Sequence, residues 1–293
     1  MEVELKFQVP AAQRDALRQA VATARVQRTR LRTAYADTPD RRLAAAGLVL
    51  RLRLEGERWV QAVKGRGDGL LKRLEHEVPL PLQRGVPLMD PSRHADTAAG
   101  KALMTALAGA APLQVLYRTD IQRLHRRVRH GGASIELAYD RGRILAGGHQ
   151  LRVDEIEFEL LSGPAVALTT LAATWVRRFD LWWDVRTKSE RGQRLALGLA
   201  RVSPVRHPLP PLTAAAPAHR EGLVARLAQA MANAAELASG TAGDEHRLAL
   251  LEALHGLDLA AQPGLPPAGP ALARQLRAAA FNQAMLQVLA RTL

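Results

Sequence analysis

The segment EVELKF at 2–7 alternates strictly, with Glu2, Glu4 and Lys6 on one side and Val3, Leu5 and Phe7 on the other. A period of two is that of a strand with unlike faces. The same alternation returns in LVLRLRLE at 48–55, where Leu48, Leu50, Leu52 and Leu54 oppose Val49, Arg51, Arg53 and Glu55. In RLEHEVPL at 73–80 it sets Arg73, Glu75 and Glu77 against Leu74, His76 and Val78. In DEIEFELL at 154–161 it sets Glu155, Glu157 and Glu159 against Ile156, Phe158 and Leu160. Further strands are expected at 26–35, 58–64, 113–129, 133–140 and 151–161. Turns are expected at DTPD 37–40, GRGDG 65–69, Gly131-Gly132 and Gly147-Gly148. Ala and Leu at helical spacing predict helices over 11–23, 94–110 and 164–179.

The pattern changes after residue 202. Residues 203–217 are rich in Pro and Ala and read as a linker. Three helices are expected beyond it, at 219–239, 245–259 and near 270–291, with Pro263, Pro266, Pro267 and Pro270 interrupting the last two. The expected division is therefore 1–202, a linker at 203–217, and an all-α region at 218–293. There is no internal repeat.

Charge follows the same division. Of 41 Lys and Arg and 28 Asp and Glu, residues 207–293 hold six of each, so the whole formal charge of +13 lies in the first part. A basic excess fits nucleic acid, an anionic membrane or a small phosphorylated ligand. Aromatic residues are only 4%, and single-stranded nucleic acids are usually held on aromatic platforms, so nucleic acid is the disfavoured partner. The chain has no cysteine, which excludes disulfides, thiolate metal sites and cysteine nucleophiles. The acidic start, Met1-Glu2-Val3-Glu4, and the lack of a long apolar run point to a cytoplasmic protein with no membrane partner.

Any one of these strands is explained by a half-exposed sheet with its polar face in water. Read jointly, the polar faces are dominated by Arg and Glu at i, i+2 spacing. Three glutamates on one face repel one another unless cations sit among them. A barrel that turns these faces inward collects them around one lumen, and the helices at 11–23, 94–110 and 164–179 would cover its apolar outside. Such a lumen suits a metal-bound polyphosphate. Mg2+ takes carboxylate, phosphate and water oxygens, while Arg and Lys hold phosphate oxygens.

The same residues resemble the CYTH, or triphosphate tunnel metalloenzyme, superfamily. Glu2-Val3-Glu4-Leu5-Lys6 resembles its opening E-x-E-x-K. YADTPDRRLAAAGLVLRLR at 35–53, WVQAVKG at 59–65, Arg73-Leu74-Glu75-His76-Glu77, Tyr117-Arg118-Thr119, SIELAYDRGRI at 134–144, DEIEFELL at 154–161 and RTKSERG at 186–192 resemble its later motifs, in order. Ala36 departs from the bulky residue the family often has there. The resemblance implies an α+β fold: an antiparallel eight-stranded β-barrel, or tunnel, with flanking helices and here a small C-terminal all-α region. It implies Mg2+ or Mn2+ as cofactor, held by Glu2, Glu4 and two of Glu155, Glu157 and Glu159. It implies phosphate binding by Lys6, Arg51, Arg53, Lys64, Arg73, Arg118 and Lys188, with Glu75, Glu77 and Glu136 orienting them or holding a second metal. Glu4 and Lys64 would act in catalysis, and Lys64 or a water polarised by the metal would be the base. HREGLVARLAQAMANAAELASGTAGDEH at 219–246 resembles the start of a CHAD module, without that module's rows of His and Arg.

Inorganic triphosphate is thus the expected partner and hydrolysis the expected reaction. An adenylate cyclase or thiamine triphosphatase of the same superfamily would share the metal and phosphate residues. A non-catalytic polyphosphate or RNA binder would leave the glutamates without a role. No G-x-x-x-x-G-K-[ST] loop or G-x-S-x-G elbow is present, which argues against P-loop and α/β-hydrolase chemistry. His76 falls on an apolar face and reads as a core histidine. His125, His130 and His149 read as near-turn residues without metal-ligand spacing. The oligomeric state is not readable from the chain.

Overall fold

Alternation and turn chemistry build the sheet as expected. The computed structural model describes all residues except 1, 24, 67–71, 84, 211, 213–215 and 258–263, and gives only the backbone of 2, 66, 72, 73 and 216–218. The strands are β1 (Glu2–Gln8), β2 (Gln27–Asp37), β3 (Leu48–Glu55), β4 (Arg58–Arg66), β5 (Lys72–Pro79), β6 (Gln114–His130), β7 (Ala133–Ala146), β8 (His149–Ser162) and β9 (Trp182–Trp183). Their order is β5-β4-β3-β2-β6-β7-β8-β1-β9, and every pairing is antiparallel. A short ladder, Glu2 with Arg73 and Val3 with Lys72, joins β1 back to β5. The pairings of β1–β8 therefore run round a ring, and β9 lies against β1.

The helices are α1 (Arg14–Val21), α2 (Arg42–Ala45), α3 (Ala98–Leu107), α4 (Ala165–Phe179), α5 (Lys188–Leu197), α6 (Ala216–Ala238), α7 (Asp244–Leu254), α8 (Pro270–Arg277) and α9 (Ala279–Ala290). They cover the apolar outside of the ring in two places. Leu5 and Phe7 of β1, Leu137 of β7 and Phe158 of β8 pack with Leu168, Trp175 and Val176 of α4. Leu227, Met231, Leu250 and Met285 from the C-terminal helices complete that same core. On the far side, Leu48, Leu50 and Val63 pack with Leu43 of α2 and Leu103 of α3. Fully burying one such side chain stabilises the fold by about 1.5–3 kcal/mol, so both covers are firmly attached.

Several boundaries differ from expectation. The strand expected at 133–140 runs to Ala146, because the Gly147-Gly148 turn, at φ 53° and 83°, lies beyond it. The helix expected at 94–110 begins at Ala98, where the Thr97 side chain accepts from the Gly100 amide at 3.0 Å. A 3-10 turn, Pro91–His94, precedes it. The helix expected near 270–291 is two helices, with Ala278 extended between them. Helices α2 and α5 and strand β9 were not foreseen. Helix α2 starts where Asp37 turns its carboxylate onto the amides of Thr38, Leu43 and Ala44 at 2.7, 2.9 and 3.0 Å, which is the structural use of the YADT turn. No helix or strand lies between Leu197 and Ala216 among the described residues.

Candidate functional site

The polar faces of the strands converge on one cavity of about 880 Å³ inside the ring. Its lining carries Glu4 and Lys6 of β1, Arg51, Arg53 and Glu55 of β3, Lys64 of β4, and Glu75 and Glu77 of β5. It also carries Arg123 and His125 of β6, Glu136 and Asp140 of β7, Glu157 and Glu159 of β8, and Lys188 and Glu190 of α5. Among the described residues that is nine carboxylates against six Lys and Arg.

One wall is built by β3, β4 and β5. Register puts Arg51 beside Ala62, Ala62 beside Glu77, and Lys64 beside Glu75. Arg51 Nη2 donates to Glu77 at 2.8 Å and to Glu75 at 3.2 Å, Arg53 Nη2 reaches Glu77 at 3.3 Å, and Lys64 Nζ lies 2.8 Å from Glu75. Arg53 also pairs with Glu55. Burial alone would raise the Glu77 pKa, but Arg51 and Arg53 outweigh it and bring it down to about 2. The Nε atoms of Arg51 and Arg53 are buried with no hydrogen-bond acceptor among the described residues, so both guanidinium groups retain donor capacity.

The other wall is built by β1, β8 and β7. Register aligns Glu4, Glu159 and Glu136 in one row, Lys6, Glu157 and Ala138 in the next, and Gln8, Glu155 and Asp140 in the third. Cations enter this wall from other elements. Arg123 of β6 forks onto Asp140 with two bonds of 2.7 Å and reaches Glu157 at 2.5 Å. Lys188 of α5 places Nζ 2.8 Å from Asp140, 2.5 Å from Glu155 and 2.7 Å from Glu157. Glu155 is fully buried and also receives Arg191 and Gln8. Burial pushes its pKa up, and Arg191, Lys188 and Lys6 outweigh that and bring it to about 2.

Helix α5 owes its position to local chemistry. Thr187-Lys188-Ser189-Glu190 forms a capping box: Thr187 Oγ1 accepts from the Glu190 amide at 2.9 Å and Glu190 accepts from the Thr187 amide at 2.7 Å. The hydroxyls of Ser189 and Tyr117 are 2.7 Å apart. A Cβ on Gly192 would lie 2.2 Å from the Tyr117 ring, so this turn of the helix must be glycine to seat there. Leu195 and Ala196 then pack on Leu31, Tyr35, Tyr117 and Ile121, and Tyr35 stacks on Tyr117 with ring centroids 4.5 Å apart.

Glu4, Lys6, Arg51, Arg53, Lys64, Glu75, Glu77, Glu136, Glu157, Glu159 and Lys188 thus meet in one lumen, as expected of them. Glu155 lies behind the wall rather than on the lining. The side chains of Glu2 and Arg73 lie outside the described residues. Arg118 is corrected. It is exposed, on the outer face of β6, whose lumen face is Thr119, Ile121, Arg123 and His125. The interior here is partly apolar, which hides the charged register. Lys6 is also turned: its ammonium donates to the Arg186 carbonyl, and burial lowers its pKa. His125 is corrected too, since it faces the lumen with Nδ1 3.5 Å from Glu136. His76 contacts the buried His94 at 2.8 Å, in keeping with a packing role.

The residues missed were Arg123, Asp140 and Arg191. Asp140 was findable, because Glu136, Ala138 and Asp140 keep the period of two. Arg191 lies within the RTKSERG motif at 186–192, but no element was expected there to aim it inward, since α5 enters the ring from its end.

The donor set can be tested against a divalent metal. Asp140, Glu155 and Glu157 offer carboxylate oxygens within 4.8 Å of one another, yet Lys188 already lies within 2.8 Å of all three. The row Glu4, Glu159 and Glu136 supplies hard oxygen donors without that ammonium. Carboxylate oxygens set in a row in this way suit a hard divalent cation such as Mg2+.

Residues 1–180 match the family model described as the CYTH domain. The chain belongs to the CYTH domain family. A curated relative, the inorganic triphosphatase of Haemophilus influenzae, is 31% identical over 164 residues, which are 55% of this chain and 44% of that protein. The chain thus spans less than half the length of this curated relative. Among solved structures, a putative adenylyl cyclase from Hippeastrum, described as having a dominant triphosphatase activity, is 16% identical with a TM-score of 0.47. That similarity covers 66% of this chain and 95% of the other. A putative adenylate cyclase from Bacillus halodurans is 17% identical over 61% of this chain and 89% of that one, with a TM-score of 0.43. No helix among the described residues is long and apolar enough to cross a membrane.

Proposed function

We propose that this CYTH protein hydrolyses inorganic triphosphate to diphosphate and phosphate, with Mg2+ or Mn2+ as cofactor. The observation that carries the reading is the make-up of the lumen: Arg51, Arg53 and Lys64 on one wall, and the carboxylate row Glu4, Glu159 and Glu136 on the other. The guanidinium and ammonium groups suit a polyanion, and the carboxylate row suits a divalent cation. The likeness to a named inorganic triphosphatase supports the same reading.

Glu4 and Glu159 are proposed to hold the metal, with Glu2 and Glu157 beside them and Glu136 completing the row. When bound, the cation supplies charge neutralisation and Lewis acidity at a phosphate oxygen. Arg51 and Arg53 are proposed to fork onto the phosphate oxygens, exchanging Glu77 for the substrate. Lys64 adds a point charge held in place by Glu75. Lys188 and Arg123 keep the acidic wall from repelling the incoming anion. Arg73 and Lys6 remain in the proposed phosphate-binding set, with Lys6 also bracing the floor through Arg186. All these groups act by orienting the chain and stabilising charge as the bridging bond breaks. The cytoplasm is the proposed location. Residues 218–293 are proposed as a shortened CHAD-like region behind the linker at 203–217.

Phosphate release from tripolyphosphate, ATP and thiamine triphosphate, with Mg2+, Mn2+ or a chelator, tests this. Metal-dependent release from tripolyphosphate in preference to the other two is expected. Cleavage of ATP or thiamine triphosphate instead would move the assignment to an adenylate cyclase or thiamine triphosphatase. Tyr35 is the one Phe, Trp or Tyr lining the described cavity, which leaves little for a base to stack on. Binding without any release would leave a polyanion-binding module.

A further inference from the structure

Helix α6 carries three buried polar side chains, Gln229, Asn233 and Glu236, at i, i+4 and i+7, and so along one stripe. Buried polar groups need partners, and each of these has one outside the C-terminal helices, although Gln229 also donates to the Ala249 carbonyl of α7 at 2.9 Å and Asn233 to the Gln229 carbonyl at 2.8 Å. Gln229 accepts from the His207 amide at 2.7 Å. Asn233 accepts from the Val205 amide at 3.1 Å and donates to the Val205 carbonyl at 2.8 Å. Glu236 receives Arg194 of α5 at 2.5 Å and lies 3.5 Å from Arg186.

From Glu236 the contacts continue inward without a break. Arg186 forks onto Asp184 with two bonds of 2.9 Å. Gln8 donates to Asp184 at 3.0 Å and to Glu155 at 3.1 Å. Glu155 holds Lys188 and Arg191. The Arg186 carbonyl also receives Lys6. Val205, His207, Ala228 and Ala232 line the same cavity as the charged side chains, so the C-terminal region forms part of the lumen's end.

We propose that the C-terminal helices are a working part of the binding site, and that Glu236 is a positioning residue: it clamps α5 through Arg194 and Arg186 and so fixes Lys188 across the lumen. The effect on substrate rests on the triphosphatase reading, whereas the clamp itself does not. Glu236 touches no substrate and acts through α5. The buried Arg186 and the half-buried Arg194 face it, so losing its charge loosens α5 rather than the sheet.

The test uses the full chain carrying Glu236→Gln, Glu236→Asp, Arg194→Met or Glu236→Gln with Arg194→Met. Without any ligand, amides of 188–197 in Glu236→Gln are expected to exchange hydrogen on the order of tenfold faster than in the wild type, as loss of a charged hydrogen bond implies. With tripolyphosphate and Mg2+, its KM is expected to rise roughly tenfold while kcat changes less than about threefold. Glu236→Asp should recover part of that, and the double variant should be no worse than Glu236→Gln. In the wild type, adding Mg2+ and tripolyphosphate should protect 188–197 and 229–238 together, a readout that needs no variant to fold. A folded Glu236→Gln protein with wild-type α5 exchange and wild-type KM would overturn the proposal, as would wild-type protection confined to 188–197. Faster α5 exchange in Glu236→Gln, with no triphosphate cleaved by the wild type, would keep the clamp and sink the substrate assignment instead.

Discussion

The two walls of the lumen use the same residue types in different proportions. On β3–β5, three cations, Arg51, Arg53 and Lys64, face three carboxylates, Glu55, Glu75 and Glu77. On β1, β7 and β8, six carboxylates stand along neighbouring strands, and most of their cations arrive from β6 and α5. Among the described side chains the first wall is balanced. It can hand its guanidinium groups to an anion by releasing Glu77, whose side chain is 39% exposed. The second wall sets Glu4, Glu159 and Glu136 in one row, hard oxygen donors of the kind a divalent cation takes. Division of labour between walls, rather than total charge, makes the site.

The comparison is broken most strongly on the acid wall. Glu159→Gln is expected to lower kcat/KM for tripolyphosphate with Mg2+ by about 100-fold, the scale of losing a metal-supporting carboxylate, and to raise the metal concentration needed for half-maximal rate. Steady-state phosphate release over a metal titration reads both. On the balanced wall, Arg51→Met removes one fork, and a charge-assisted hydrogen bond stabilises by about 1.5–3 kcal/mol. A KM roughly 10- to 100-fold higher, with metal dependence unchanged, is the expected outcome in the same assay.

A smaller effect comes from pH. The folded-state pKa of Glu155 is about 2, below its ordinary 4.5. Between these values the unfolded chain binds more protons, so this group's stabilisation is present above about pH 4.5 and is lost as pH falls toward 2. The slope is at most about 1.4 kcal/mol per pH unit for one proton. Denaturant melts from pH 5 to 2.5 should show it, and Glu155→Gln should flatten it. The smallest change belongs to neither wall. Arg118→Ala on the outer face should leave kcat/KM within about twofold and stability within about 0.5 kcal/mol.

Much of this was legible in the chain. Strict alternation in 2–7, 48–55, 73–80 and 154–161 gave the strands and most of the lumen side chains. The rule failed on β6. There the inward face mixes Tyr117, Thr119 and Ile121 with Arg123, because α5 fills that end with apolar contacts. The outward face carries Arg118 and Asp120 in solvent. Polarity therefore pointed to the wrong side, and Arg123 was missed. Helix α5 was hidden because its polar sequence, KSERGQRLAL, serves the lumen floor. The chain's +13 was read as the mark of a polyanion site, whereas the described lining holds more carboxylates than Lys and Arg. Nothing in the linear pattern of 219–239 set Gln229, Asn233 and Glu236 apart as inward contacts.

Calorimetric titration of tripolyphosphate into the wild-type protein, with Mg2+ and then with a chelator, meets the central point most directly. One site per chain that weakens at least tenfold on removal of the metal, and that Glu159→Gln weakens with Mg2+ but not with the chelator, is expected. Equal affinity with and without metal would contradict a lumen whose walls divide the anion and the cation between them.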